Sequence, residues 1–140
     1  MNSVKAFNEL IEKTATIALA TSANNIPNVR AVNFCYDVTR PGIMYFTSVR
    51  GNSKTVEFEK NNKVAFTTIP TEGNAHIRSK DAMVQKSKFS MDEVKDLFLT
   101  QIPDYDEALS QIGELLEVYE IHIKEAAIIL DIHQKGSITF

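Results

Sequence analysis

The residues best equipped for chemistry lie together in the run Thr47-Ser48-Val49-Arg50-Gly51-Asn52-Ser53-Lys54. Thr47, Ser48 and Ser53 offer hydroxyl donors, and Arg50 and Lys54 offer positive charge. Gly51 and Asn52 tolerate backbone angles that let successive N–H groups face one point. Ser53 and Lys54 then open a short helix, whose N-terminal dipole favours an anion. Such a turn would hold an anion, most simply a phosphate. The same residues also make an ordinary capped helix after a polar loop with surface cations. The stretch by itself leaves both readings open. Its glycine spacing is not that of a Walker A loop.

A second stretch with chemical potential is Asn28-Val29-Arg30-Ala31-Val32-Asn33-Phe34. An arginine within an apolar strand needs an anionic or carbonyl partner if its face is buried, and otherwise it faces solvent. Strand alternation puts Val29, Ala31, Asn33 and Cys35 on one face and Arg30, Val32, Phe34 and Tyr36 on the other, so Arg30 and Asn33 do not share a pocket unless the strand bends. Cys35, His76, His122 and His133 are scattered without zinc-site spacing, so no metal site is expected. Cys35 reads as a small packed residue. No Ser-His-Asp set or carboxylate pair stands out, and the catalytic residues stay unassigned.

These residues need a scaffold, and hydropathy patterning supplies one. Ser3 to Lys13 reads as a helix capped by Asn2 or Ser3, with Val4, Phe7, Leu10 and Ile11 on one face. Strands are expected at Thr14 to Thr21, Val29 to Asp37 and Ile43 to Thr47, the last two as a hairpin. Ser53 to Lys60 is a short helix with Glu57 and Glu59 towards water and a left-handed Asn61-Asn62 end. Lys63 to Ile69 and Ala75 to Gln85 are extended. Ser90-Met91-Asp92-Glu93 is a capping box that opens a helix to about Gln101. Pro103 interrupts, and Asp106 to Leu116 is a further helix. Val118 to Ile123 and Ala126 to Ile132 are strands with a tight link at Lys124-Glu125, and the tail Lys135 to Phe140 either packs or frays. The pattern predicts a mainly β protein with helices (α+β), of about six to seven antiparallel strands joined by short links and closed into a barrel.

Bulk properties narrow the function classes. The 140 residues favour one domain spanning 1–140. A net charge of -3, from 15 basic and 18 acidic residues, gives no basic excess for DNA or RNA. No apolar run reaches the roughly 20 residues that span a bilayer, and no signal peptide is visible. The single cysteine fits a reducing compartment, so a soluble, cytoplasmic protein is expected.

Taken in order, these pieces resemble the pyridoxamine 5'-phosphate oxidase-like family of FMN-binding split barrels. The resemblance runs through Thr16-Ile17-Ala18-Leu19-Ala20-Thr21, Pro27-Asn28-Val29-Arg30-Ala31-Val32, Met44-Tyr45-Phe46-Thr47-Ser48, Asn52-Ser53-Lys54 and Asn61-Asn62-Lys63-Val64-Ala65-Phe66, and on to the closing segments Tyr119 to Ile123 and Ala127 to Asp131. It implies a homodimer with FMN in a cleft between subunits. By this resemblance Arg30, Ala31, Val32 and Asn33 run beside the flavin, Phe46, Thr47 and Ser48 continue the cleft, and Ser53 and Lys54 bind the phosphate. His76 takes the place of a glutamine near the ring. Two departures separate the chain from the oxidases proper: Cys35 stands where they have a substrate-binding lysine, and Asp131-Ile132-His133-Gln134 replaces their closing Arg-x-His. The resemblance therefore implies a flavin-dependent oxidoreductase of another small molecule. The alternative is a non-catalytic FMN-binding protein, an electron carrier or stress-related binder. Relatives of this fold also hold deazaflavin or haem.

Overall fold

Two asparagines set the first hairpin. The computed structural model describes residues 1–140. In it Asn24 and Asn25 adopt φ of 53° and 63°, the left-handed pair that a two-residue turn needs. This joins β1 (Thr16–Ala23) to β2 (Ile26–Asn33), with Ala23 opposite Ile26 and Thr16 opposite Asn33. The partner of β2 is thus β1, and not the following strand as the sequence suggested. Pro27 lies inside β2 and is tolerated because β2 ends the strand order, with no neighbour for the missing N–H.

The expected second strand also divides. At Phe34 the chain leaves β1 and continues as β3 (Cys35–Tyr36), which pairs with β4 (Ile43–Val49) through Cys35↔Tyr45 and Tyr36↔Met44. The remaining elements are α2 (Ser53–Lys60), β5 (Lys63–Thr68), β6 (His76–Lys86), α3 (Met91–Gln101), α4 (Tyr105–Ile112), β7 (Leu116–Ile129) and β8 (Lys135–Thr139), after α1 (Ser3–Glu12) at the start. The strand order is β2-β1-β5-β6-β7-β4-β3, antiparallel throughout, with β8 also on β7. Because β2 and β3 are one run of chain, the two ends of this order meet at Phe34. The sheet closes there into a barrel that stays split between β2 and β4.

Several expectations change at this level. There are eight strands. The two closing strands are one, β7, which continues through Lys124 and Glu125 with a bulge at Lys124. Opposite it β6 bulges as well, between Arg78 and Asp81. The tail does not fray: as β8 it pairs Thr139 to Glu125. Asn61 is extended, with φ -152°, and not left-handed. The last helix runs from Tyr105 to Ile112 and ends in a 3-10 turn. The expected caps are present: Asn2 accepts from the Lys5 N–H, and both halves of the Ser90–Glu93 box form.

The barrel interior is apolar, with Ile17, Leu19, Phe34, Met44, Phe46, Ile77, Ile121 and Ile128 fully buried. Each such side chain stabilises by about 1.5–3 kcal/mol. Helix α1 covers one end, its Phe7 ring edge-on to Tyr36 and Phe140. A second cluster lies outside the barrel wall, where Val94 and Phe98 of α3 and Tyr105 of α4 cover Cys35, Tyr45 and Val118. Strand β4 is therefore buried on both faces. No helix is long and apolar enough to cross a membrane.

Candidate cofactor site at the barrel split

The site begins where pairing stops. Continued past Cys35↔Tyr45, the register of β3 on β4 would set Asn33 against Thr47 and Val32 against Ser48. Instead Asn33 pairs with Thr16 of β1. Two unpaired backbone edges, Arg30 to Asn33 and Phe46 to Ser48, thus face the split, and unpaired backbone polar groups need partners. The chain leaves β4 through a tight turn in which the Asn52 N–H donates to the Val49 carbonyl and Gly51 has φ +80°. The Asn52 side chain caps α2, its Oδ1 accepting from the Lys54 N–H at 3.0 Å. The sequence placed Ser53 and Lys54 at this N-terminus, and they are there. Ser53 is exposed and Lys54 half-buried.

Side chains divide around the split. Phe46 faces the barrel interior between Phe58 of α2 and Tyr119. Ser48 shares that face one pleat further on. It is 3% exposed, and its Oγ is a buried side-chain polar atom without a hydrogen-bond partner. Thr47 points the other way and bonds the Tyr105 hydroxyl. Val32 packs in the barrel core, while Ala31 and Asn33 are exposed on the outer face. Asn33 Oδ1 there accepts from Thr16 Oγ1 at 3.0 Å. His76 begins β6, separated from β2 by β1 and β5, and its Nδ1 lies 2.6 Å from the Asn74 carbonyl. It does not join the group at the split within one chain.

Arg30 turns inward and finds an anion the sequence did not indicate. Its Nη2 donates to both carboxylate oxygens of Glu57 at 3.1 Å, and its Nη1 donates to Thr21 Oγ1 at 3.0 Å. Thr21 Oγ1 in turn donates to Glu57 Oε2, and Asn28 Nδ2 donates to Glu57 Oε1 at 3.2 Å. Glu57, expected to face water, is instead the hub of this cluster. The Thr21 hydroxyl, then the Arg30 guanidinium and the Asn28 amide, hold its carboxyl below the usual value. A signal did exist, because the Asn24-Asn25 turn fixes a register that makes Thr21 a diagonal neighbour of Arg30. Lys54 lies beside this group: burial, and then the nearby Arg30 charge, lower its pKa. No carboxylate lies within ion-pair distance of Lys54.

The arrangement suits an anion with a flat body. A half-buried lysine without a counter-ion and a helix N-terminus stand at one end of a split edged by free backbone groups, and the partnerless Ser48 hydroxyl lies buried on the interior face of the strand that edges it. Nothing at the split resembles an activated nucleophile. Elsewhere, buried Glu120 accepts from Ser87 Oγ at 2.6 Å and lies 2.8 Å from His122 Nε2. There the carboxylate stands between the other two groups, which does not activate the serine. No three metal-ligating side chains gather. Burial pushes the Cys35 thiol up to about 12. We expect it to ignore maleimide at neutral pH until the chain is unfolded in urea, and reaction at the rate of a free thiol in the folded protein would contradict this packing.

On the outer face, Ala18, Ala20, Ala65 and Ala127 floor a groove of about 610 Å³ beside Val29. Val29 and Ile26 of the same strand are 64% and 68% exposed.

Comparison with known proteins places the fold. The family model described as "Pyridoxamine 5'-phosphate oxidase-like" matches residues 10–135. No curated protein matches the chain. The chain is similar in structure to Campylobacter jejuni ChuZ, with a TM-score of 0.77 and 15% identity over 98% of this chain and 59% of that one. It is also similar to a heme binding protein from Mycobacterium smegmatis, with a TM-score of 0.76 and 11% identity over 99% of this chain and 58% of the other. A FAD-binding protein from Mesorhizobium loti aligns with a TM-score of 0.67 and 11% identity, over 98% and 93% of the two chains. The chain thus spans less than two thirds of the first two. At these identities the likeness is one of fold, the antiparallel split barrel, and the neighbours' named cofactors differ.

Proposed function

The chain belongs to the pyridoxamine 5'-phosphate oxidase-like family, and from that premise we propose that it is an FMN-binding flavoprotein, a flavin-dependent oxidoreductase of a small molecule. The observation that carries this reading is the partnerless Ser48 hydroxyl, 3% exposed, on the strand that edges the split. A buried hydroxyl left unsatisfied costs about 1–3 kcal/mol, and a ligand in the split would supply its partner. The Lys54 ammonium and the Ser53 N–H that opens α2 would hold the phosphate, with the Ser53 hydroxyl at its rim. Backbone groups of Arg30 to Asn33 and Phe46 to Ser48 would line the body. Bound FMN supplies hydride and electron transfer, which the side chains at the split do not. The exposed Ile26, Val29 and alanine groove support a second copy of the chain packed on this face, with His76 reaching the partner's site. A soluble, cytoplasmic homodimer is the state this reading carries.

The absorption spectrum of the purified protein and a titration with FMN test the reading. Lys54→Ala is expected to weaken FMN binding by about 1.5 kcal/mol, the low end for a hydrogen bond to a charged group. Unchanged affinity would leave Lys54 a surface cation. A protein that takes haem and refuses FMN would overturn the flavin reading. The second reading, a non-catalytic carrier, draws on the lack of a general acid or base at the split. Anaerobic mixing with NADH or NADPH separates the two, since turnover with bleaching of the flavin belongs to the enzyme.

A further inference from the structure

We infer that Glu57 is a specificity-determining residue of this site: its carboxylate occupies the Arg30 guanidinium as a phosphate would, so a flavin phosphate is held by Lys54 without Arg30 and adds little to affinity. This rests on the FMN reading above.

A guanidinium offers one planar fork, and a carboxylate and a phosphate fit it in the same way. Here the fork is taken. Nη2 meets both Glu57 oxygens, and Nη1 is turned to Thr21. The carboxylate is equally engaged, since Oε1 accepts from Arg30 and Asn28 while Oε2 accepts from Arg30 and Thr21. An incoming phosphate therefore cannot reach Arg30 without displacing Glu57 from it, and it meets a fixed negative charge one helical turn from Lys54 on α2. Arg30, Glu57 and Lys54 together carry a net single positive charge. Without the Glu57 charge the same pocket carries two, and the guanidinium becomes free to bind. The chain's own carboxylate thus stands in for the cofactor's anion, and the site is tuned to a flavin whose ring and ribityl chain supply most of the affinity.

Riboflavin and FMN differ only in the phosphate, so the ratio of their dissociation constants isolates it. In the wild type, FMN is expected to bind no more than about tenfold tighter than riboflavin, the low end for one charged hydrogen bond. Glu57→Gln removes the charge while keeping an acceptor for Asn28 and Thr21. It is expected to raise the ratio by about tenfold or more, through FMN alone, with riboflavin affinity unchanged. Thr21→Val frees the Arg30 Nη1 donor while Glu57 keeps its charge, and should move the ratio the same way by less, which keeps the test open if Glu57→Gln folds poorly. Melting curves without flavin check folding of each variant. Both flavins binding with the same ratio in all three proteins would overturn the role of Glu57 and leave the FMN reading standing. Neither flavin binding to any of the three would overturn both.

Discussion

Replacing Phe34 by alanine is expected to lower the stability of the fold by about 3–5 kcal/mol, the usual cost of emptying a phenylalanine site in a core. That is a large part of the 5–15 kcal/mol available to a domain of ordinary stability. Phe34 is 1% exposed and stands at the point where the chain crosses from β1 to β4. Its N–H still bonds the Ala15 carbonyl at 2.9 Å, while the next residue already pairs with Tyr45. The ring is thus the wedge between two strands that diverge, and neither strand can shift to fill its place without losing register. Urea unfolding would show a lower midpoint. A changed slope as well would mean that the barrel opens along the split before it unfolds. A loss under about 1 kcal/mol would mean that the strands collapse onto the vacated site, against this account of the split.

The position of that wedge also shows what could be read in the sequence and what could not. Alternation through Val29 to Tyr36 is unbroken, so the residues themselves do not announce that the strand changes partners. The change follows from Asn24-Asn25, which commits β2 to β1, and from closure of the sheet, a property of the whole strand order. Lys124 and Glu125 misled for a related reason. Two exposed charges in an apolar run look like a turn, but here they mark a bulge in β7, across which the buried face passes from Ile121 and Ile123 to Ala126 and Ile128 while the strand goes on. Local chemistry was more legible. The capping box at Ser90 and the helix start at Ser53 and Lys54 depend on residues three or four apart, and both are in place. Glu57 was not legible in this way, because the face α2 buries is decided by β1 and β2 beneath it. Thr47 and Ser48 must point to opposite faces, yet only α3 and α4 decide that Thr47 finds a partner and Ser48 does not.

Arg30→Ala is expected to cost about 2–4 kcal/mol, somewhat less than the 3–5 kcal/mol of breaking a fully buried pair, because both side chains keep 20% exposure. The loss comes from what is left behind. Glu57 keeps Thr21 and Asn28 as donors but loses the charge that neutralises it under α2. Arg30→Lys should recover only part, since an ammonium cannot meet both carboxylate oxygens as the fork does. The pH dependence has a defined sign. Glu57 titrates lower in the folded chain than its ordinary value of 4.5, so its contribution is fully present above that value and is lost as pH falls through the folded one. The gap between wild type and Arg30→Ala should therefore be constant near neutrality and narrow in acid below about pH 4.5. A loss under about 1 kcal/mol that salt abolishes would mark the pair as an ordinary surface bridge. In that case the guanidinium would be held loosely enough for a phosphate to capture it, and Glu57 could not discriminate between flavins. The stability of this ion pair and the selectivity of the site are two readings of one geometry, and they stand or fall together.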